Sequence, residues 1–489
     1  MTKTRWLNIG WAQINITPTR PVYIIGQMYQ RVSQYIHDPI SATALVMDNG
    51  DEQAIFISAD MTEVPSHALE AVRKNLSVYQ DLDFTKVSLH VTHTHNSTDF
   101  LDDFLRNDNE HVYGKDILPK IDIPENIFAY EEAQAFIVEK LTELVSKAWE
   151  SRKPGGISYA QDYAAVGFNR RPVFEVSGEK ETVMYGDCSQ PGFKRFEGGA
   201  DHTADMLYTW DTDGRLTGVM VNIPCPSQVH ELHYYISADF WGPTRDAIRE
   251  KLGNVYVLPA CGAAGDQNPL DLVRMSKNNK KALLDWGGQT KEVFRNFDMA
   301  LECAAIGERI TEAVVRGYKT ARNIIDYNPE FRHEIIEMSL PLRLVSKEDY
   351  EEAANEVAAI KGRFSREKPM TMQDVVKAFE PQGVVLRWEL QQKTSQYHFK
   401  MHVLRIGNIA VVTNPFELFH EYGMRMKARA KAEQVFVIQL ANGLGGYLPT
   451  EEAVAGGSYS SKPASTMCGP DGGDVLVEKT LHILDEMWK

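Results

Sequence analysis

The sequence predicts an α/β protein: mixed β-sheets flanked by helices and built from about three βαβ-like units. Three observations predict it. Short β-rich, apolar runs end abruptly in polar, reactive residues. They come in pairs, with an amphipathic stretch of helical length between the members of each pair. The spacing also fits, because a parallel crossover takes roughly 30 residues. Asp60 and His93 are 33 residues apart, and Glu417 and Tyr447 are 30.

The first unit begins with the strand Ala54–Asp60. A helix follows from Pro65, a residue suited to a first helical turn, and then the strand Lys86–Thr92 runs into His93-Thr94-His95-Asn96. The second unit opens after the turn Asp211–Gly214 with the strand Gly218–Cys225. Its helix spans about Pro243–Leu252 and is stopped by Gly253. The strand Asn254–Leu258 then enters Cys261–Asn268. The third unit has the strand Ile409–Thr413, the segment Asn414-Pro-Phe-Glu417, a helix over about Leu418–Ala432, and the strand Val435–Gln439 leading to Ala441–Tyr447. In open α/β sheets ligands gather beyond the carboxyl ends of strands. Six such ends are expected to converge on one site.

The rest reads as insertion into one domain over residues 1–489, near 99–150, 270–300 and 345–382. Residues 99–128 read as a polar loop carrying Asp99, Asp102, Asp103, Asp108 and Glu110, and 130–150 as a helix. Residues 270–295 read as a solvated loop with Lys277, Lys280 and Lys281, and 347–380 as two helices separated near Pro369.

Composition narrows the function. The chain has 489 residues, 43% hydrophobic and 24% charged, which is ordinary for a globular protein. Lys and Arg total 52 against 67 Asp and Glu, a net charge of −15 that repels nucleic acid. Five Cys are too sparse for a disulfide scaffold. No apolar run approaches the ~18 residues of a membrane span. Asn8, Gln13 and Asn15 interrupt any signal-peptide core. The expectation is a cytoplasmic protein acting on a small molecule, with no nucleic-acid partner and no stable membrane insertion. A homo-oligomer is compatible with all of this.

Several residues at the strand ends carry chemistry. In an extended segment, residues i and i+2 point the same way, so His93 and His95 can face one metal, or one can bind it while the other acts as a base. Cys225, between two prolines, reads as a metal ligand, a nucleophile or a small buried hydrophobe. His230 and His233 are alternative ligands or surface groups. Glu417 reads as a ligand or as an acid at a helix start, and Tyr447 as a packing residue or a ligand. Arg170 can hold a carbonyl or carboxylate, although an Arg pair in a loop is commonly solvated. Asp266 can orient a ligand histidine or cap a turn.

Taken in order, these motifs resemble the neutral/alkaline, non-lysosomal ceramidases. The resemblance rests on Thr92–His95, Asn169–Pro172, Cys225–Gln228, Gly265–Pro269, Asn414–Glu417, Gly446–Thr450 and Ala464–Pro470. It implies a neutral-ceramidase-like catalytic domain with a catalytic Zn²⁺ held by two His, one Glu and one Tyr. Carried over, the ligands are His93, Glu417 and Tyr447, with Cys225 where the family has its second ligand histidine. His95 matches the second active-site histidine and Arg170 the substrate-binding arginine. The family's catalytic serine falls on Asn268, which cannot act as a hydroxyl nucleophile. The family's C-terminal immunoglobulin-like domain has no counterpart after Pro470.

The expected function is therefore a zinc-dependent hydrolase of an amide or ester bond in a small polar substrate. His95 is its general base or acid, and Arg170, Asn268 and Asp266 assist. The alternatives are a zinc-dependent lyase or isomerase acting on a sugar acid, and a non-catalytic binding protein.

Overall fold

A computed structural model describes residues 6–101, 104–276, 281–286, 289–294 and 299–489. The predicted residues Asp102, Asp103, Lys277 and Lys280 lie outside the described residues. Eight strands form the larger sheet: β1 (Leu7–Asn15), β2 (Ser41–Asp48), β3 (Gln53–Ala59), β4 (Val87–Val91), β5 (Lys153–Tyr163), β6 (Thr203–Asp211), β7 (Leu216–Ile223) and β8 (Tyr256–Cys261). Their spatial order is β8-β7-β6-β5-β1-β2-β3-β4. A second sheet runs β9 (Phe331–Pro341), β10 (Gln396–Ile406), β11 (Ile409–Thr413), β12 (Gln434–Ile438). Three neighbouring pairs are parallel: β3–β4, β7–β8 and β11–β12. These are the three units read from the sequence, and each lies at a sheet edge. The antiparallel strands between them complete the two sheets.

The period-2 alternation of each strand sorts its side chains between two layers. Ala42, Ala44, Val46, Ile55 and Ile57 face the helices α1 (Ser66–Leu76) and α2 (Tyr130–Glu150). Met206, Tyr208, Val219 and Val221 share a cluster with α3 (Trp241–Leu252) and α4 (Met299–Ala321). The intervening Leu45, Met47, Phe56, Leu207 and Met220 pack instead on Leu404, Ile406, Val411 and Phe436 of the smaller sheet. That sheet's outer face, with Met401, Val403, Val412 and Val435, is covered by α5 (His420–Arg429) and α6 (Pro470–Met487). The result is a helix–sheet–sheet–helix stack.

Two insertions differ from expectation. The stretch read as a loop at 99–128 contains a helix, Phe104–Tyr113. Its half-buried Arg106 and Glu110 pair one turn apart at 2.7 Å, so polarity there is compatible with helix rather than a sign of irregular backbone. The segment 347–380 gives the two helices expected, Lys347–Lys361 and Met372–Gln391, the second passing through Pro381. Near 270–295, Lys281–Trp286 and Gln289–Phe294 form a hairpin rather than a loop.

Backbone bonds lock the strand ends of the three units together. Asn442 N–H donates to Leu89 O at 2.9 Å, Gln439 N–H to Cys261 O at 3.0 Å, Gly265 N–H to Leu418 O at 2.8 Å and Ser227 N–H to Thr92 O at 3.1 Å. Gly265 is required by this crossing, since a Cβ there would sit 2.2 Å from Glu417 O.

Candidate active site

The convergent ends enclose a cavity of ≈ 460 Å³ lined by Glu63, His93, His95, Glu417, Tyr447 and Tyr459, among others. His93 follows directly on β4 with a left-handed φ of 62°, a conformation non-glycine residues adopt at a cost. Its Nδ1 lies 2.6 Å from Thr62 O. A carbonyl can only accept, so Nδ1 carries a proton and Nε2 is the ring nitrogen turned to the cavity. That Nε2 is 3.3 Å from Glu417 Oε2 and 3.3 Å from His95 Nε2.

Glu417 does not start a helix, as one reading had it. Glu417–Leu418 form a two-residue strand in parallel register with Tyr447–Leu448, which sets Glu417 and Tyr447 side by side. Helix α5 begins three residues later, at His420.

His95 Nε2 lies 2.7 Å from Gln228 Nε2, which fixes it as the acceptor, and its Nδ1 lies 3.4 Å from Glu231 Oε2. Gly26 floors this histidine: with φ 107°, any Cβ there would fall 2.5 Å from His95 Cγ. Asn268 Nδ2 donates to Gln228 Oε1 at 2.9 Å and to Tyr185 OH at 2.8 Å. Arg170 Nη1 reaches the same Tyr185 hydroxyl at 3.3 Å, and its guanidinium lies 5.3 Å from the Tyr447 ring centre. His95, Gln228, Asn268, Tyr185 and Arg170 thus form one connected polar chain.

Burial and charge act differently across the site. Burial would depress His93, but the adjacent Glu417 carboxylate lifts it to about 9. Burial holds His95 near 4, hence neutral. Glu417 stays below its ordinary value despite burial, because His93 stabilises its charge. Glu63 is pushed up to about 8 by burial, and its Oε2 is shut from solvent without a hydrogen-bond partner.

The other predicted residues take different places. Cys225 belongs to the apolar cluster beneath β7, with its thiol 3.5 Å from Pro226 O. Burial raises that thiol well above its usual range, and the charged groups acting on it most are Asp239, Arg309 and Arg170. Asp266 turns to His420, accepting from its N–H at 2.9 Å and lying 2.7 Å from its Nδ1. The Arg pair is buried rather than solvated: Arg171 forks onto Glu197 at 2.7 and 3.1 Å. His230 and His233 are buried as well. His230 joins Asp239 and Cys303, whose ligand-type atoms lie within 4.8 Å of one another.

Glu63, Gln228, Glu231, Tyr185 and Tyr459 were not singled out in the sequence. Glu63 carried a signal, since it sits three residues beyond the strand end at Asp60. Gln228 lay inside the Cys225–Gln228 motif but is an unremarkable amide until its partners are seen.

A buried His–Glu–Tyr cavity at the strand ends of two stacked sheets defines the architecture. No protein-family model matches the sequence, and no curated protein sequence matches it. Solved structures do. A neutral ceramidase from Pseudomonas aeruginosa superposes with a TM-score of 0.67 at 17% identity, over 99% of this chain and 75% of that one. A structure described as ceramidase complexed with C2 gives 0.66 at 15% identity, over 97% and 74%. The chain has a neutral-ceramidase-like fold, and at this identity the likeness is one of fold. No helix among the described residues is long and apolar enough to cross a membrane.

Proposed function

We propose that the protein is a zinc-dependent hydrolase of an amide or ester bond in a small polar substrate. The observation that carries this reading is the meeting of His93 Nε2, His95 Nε2 and Glu417 Oε2. Each separation from His93 is 3.3 Å, and with Nδ1 committed to Thr62 O the Nε2 of His93 faces two acceptors, the Glu417 carboxylate and His95 Nε2. Acceptors that converge in a buried cavity are costly unless a positive charge sits among them, a proton held on His93 or a metal ion that replaces it. The donor set fits Zn²⁺, with His93, Glu417 and Tyr447 as the residues that would hold it. Cys225 and His230, the sequence candidates for a further ligand, do not line the cavity. Three protein ligands leave the open position that catalytic zinc sites keep.

Zinc bound there would polarise the scissile carbonyl and bring a water's pKa toward about 7. His95 is neutral with its Nδ1 proton toward Glu231, so its Nε2 is the atom placed to take the proton of an attacking water that displaces the Gln228 N–H there, and to return it to the leaving group. Arg170 and Asn268 orient substrate through the polar chain they share. Phe379, Leu386, Leu390, Leu444 and Met467 line the same cavity, so the substrate carries an apolar portion beside its polar reacting bond.

A second reading, a lyase or isomerase acting on a sugar acid, is favoured by Glu63. Its buried, unpartnered carboxylate oxygen suits proton abstraction from carbon. Metal analysis of the purified protein with a screen of amides, esters and sugar acids separates the readings. Stoichiometric zinc and products heavier by one water support hydrolysis. Products of unchanged mass support isomerisation. A protein without stoichiometric metal, unaffected by His93→Ala, sinks both.

A further inference from the structure

We propose that His230, Asp239 and Cys303 form a second metal site, structural in role, for a divalent cation of the zinc class. It would hold the segment 226–240 against His95. The site is independent of the cavity around His93.

The three residues come from two separate places in the chain. His230 and Asp239 lie before α3, and Cys303 lies in the first turns of α4. Their side chains are 2%, 1% and 4% exposed, yet their ligand-type atoms fall within 4.8 Å of one another. They border a cavity of ≈ 740 Å³ together with His37 and Asp38, so an ion has a route in. Imidazole, carboxylate and thiolate are the donors that zinc-class ions accept together.

The surroundings fix these donors in place. Tyr235 OH lies 2.7 Å from His230 Nδ1, which sets the ring. Asp239 accepts from His230 N–H at 2.7 Å and from Phe240 N–H at 2.8 Å. With the backbone N–H of Val229 also on this carboxylate, one lone pair of its four is left for an ion. Cys303 Sγ is 3.9 Å from Asp239 Oδ1. On binding, the thiol proton leaves to solvent, and one thiolate plus one carboxylate balance a +2 ion in a buried site. Without an ion, the Asp239 charge is left with backbone N–H groups and a thiol as its nearest partners.

The consequence reaches the active site through a short segment. Gln228 and Glu231 flank His230 in sequence and contact the two ring nitrogens of His95 at 2.7 and 3.4 Å. Anchoring His230 therefore steadies both groups that orient His95.

Loading of the full-length apo-protein with Co²⁺ tests this, because thiolate coordination gives a near-ultraviolet charge-transfer band. The expected result is a band in the wild type that is lost, with one equivalent of metal, in Cys303→Ser. The band should persist in Cys225→Ser and in His93→Ala, although His93→Ala loses the equivalent held in the cavity. Amide exchange over 226–240 should slow on loading in the wild type and not in Cys303→Ser. A wild type without the band, a band that survives Cys303→Ser, or one abolished by Cys225→Ser overturns the proposal. Failure of the cavity reading is distinguishable: His93→Ala would then leave the metal count unchanged while the Cys303 result stands.

Discussion

Two histidine pairs among the described residues, one in the cavity and one between the sheets, are built in opposite ways. In the cavity, His93 and His95 bring Nε2 to Nε2 at 3.3 Å, with Glu417 against one ring and Glu231 against the other. Between the sheets, His333 Nε2 lies 2.9 Å from His402 Nδ1, and His333 Nδ1 lies 2.8 Å from Gln53 O. In the seam pair each N–H runs into an acceptor, from His402 Nδ1 to His333 Nε2 and from His333 Nδ1 to Gln53 O, and His402 Nε2 ends the chain shut from solvent without a partner. In the cavity pair a single His93 Nε2 faces two acceptors, His95 Nε2 and the Glu417 carboxylate, so a proton or a metal ion has to sit between them. Ring proximity is common to both; what distinguishes a ligand pair from a structural pair is where the second nitrogen of each ring finds its partner.

The largest effect expected follows from that contrast. His93→Ala should lower activity on the order of 10³-fold or more, as loss of a metal ligand or acid–base group does, and should lose the equivalent of metal held in the cavity. His333→Gln should leave kcat and metal content within about twofold, since its ring serves only packing and hydrogen bonding. Parallel metal analysis and turnover of the two variants check this. Equal losses in both would erase the distinction between the pairs.

The second effect is on stability. Burial holds His333 near 3 and His402 well below its ordinary value. The unfolded chain binds protons at these sites near 6.5 while the folded one does not. Their contribution is therefore fully present above pH 6.5 and is lost as pH falls toward 3. Lys86 and Asp83 are the charged groups acting on His333, Lys86 disfavouring and Asp83 favouring its protonation. At pH 5, His333 alone should account for about 2 kcal/mol of lost stability. Urea midpoints at pH 7 and pH 5 measure it, and His333→Gln, which keeps the hydrogen bonds but cannot titrate, should flatten the difference. An unchanged pH slope in that variant would remove the seam pair from the acid response.

What could be read beforehand divides along the same line. The three parallel units were legible because strand period, helix signals and a spacing near 30 residues agree locally. The antiparallel strands β5, β6, β9 and β10 were less so, since their pairing is set by partners far along the chain. His93, Glu417 and Tyr447 stood at unit ends and were therefore visible. Their alignment was not: it depends on the register between Glu417 and Tyr447. Cys225 matched a motif position, but the chain passes it into the apolar layer, where the thiol packs among Val221, Ile223 and Val229. His333 and His402 carried no signal, because they meet diagonally across two antiparallel strands far apart in the chain, where their direct partners are Leu404 and Ile335.

The smallest effect sharpens the comparison most, because it touches only the two hydrogen bonds of one amide. Gln228 donates to His95 Nε2 and accepts from Asn268, so it orients the ring without reaching the metal ligands. Gln228→Leu keeps the volume and removes both bonds. It frees His95 to rotate and leaves a buried Asn268 donor short of one partner, a loss of about 1–2 kcal/mol. A roughly tenfold fall in kcat is expected, with metal stoichiometry unchanged. Gln228→Glu should behave differently, since a carboxylate at that distance would favour the protonated imidazole and shift the pH profile of kcat upward. Loss of metal in Gln228→Leu would mean that His95 belongs to the ligand set, and the cavity pair would then be two ligands rather than a ligand and a base.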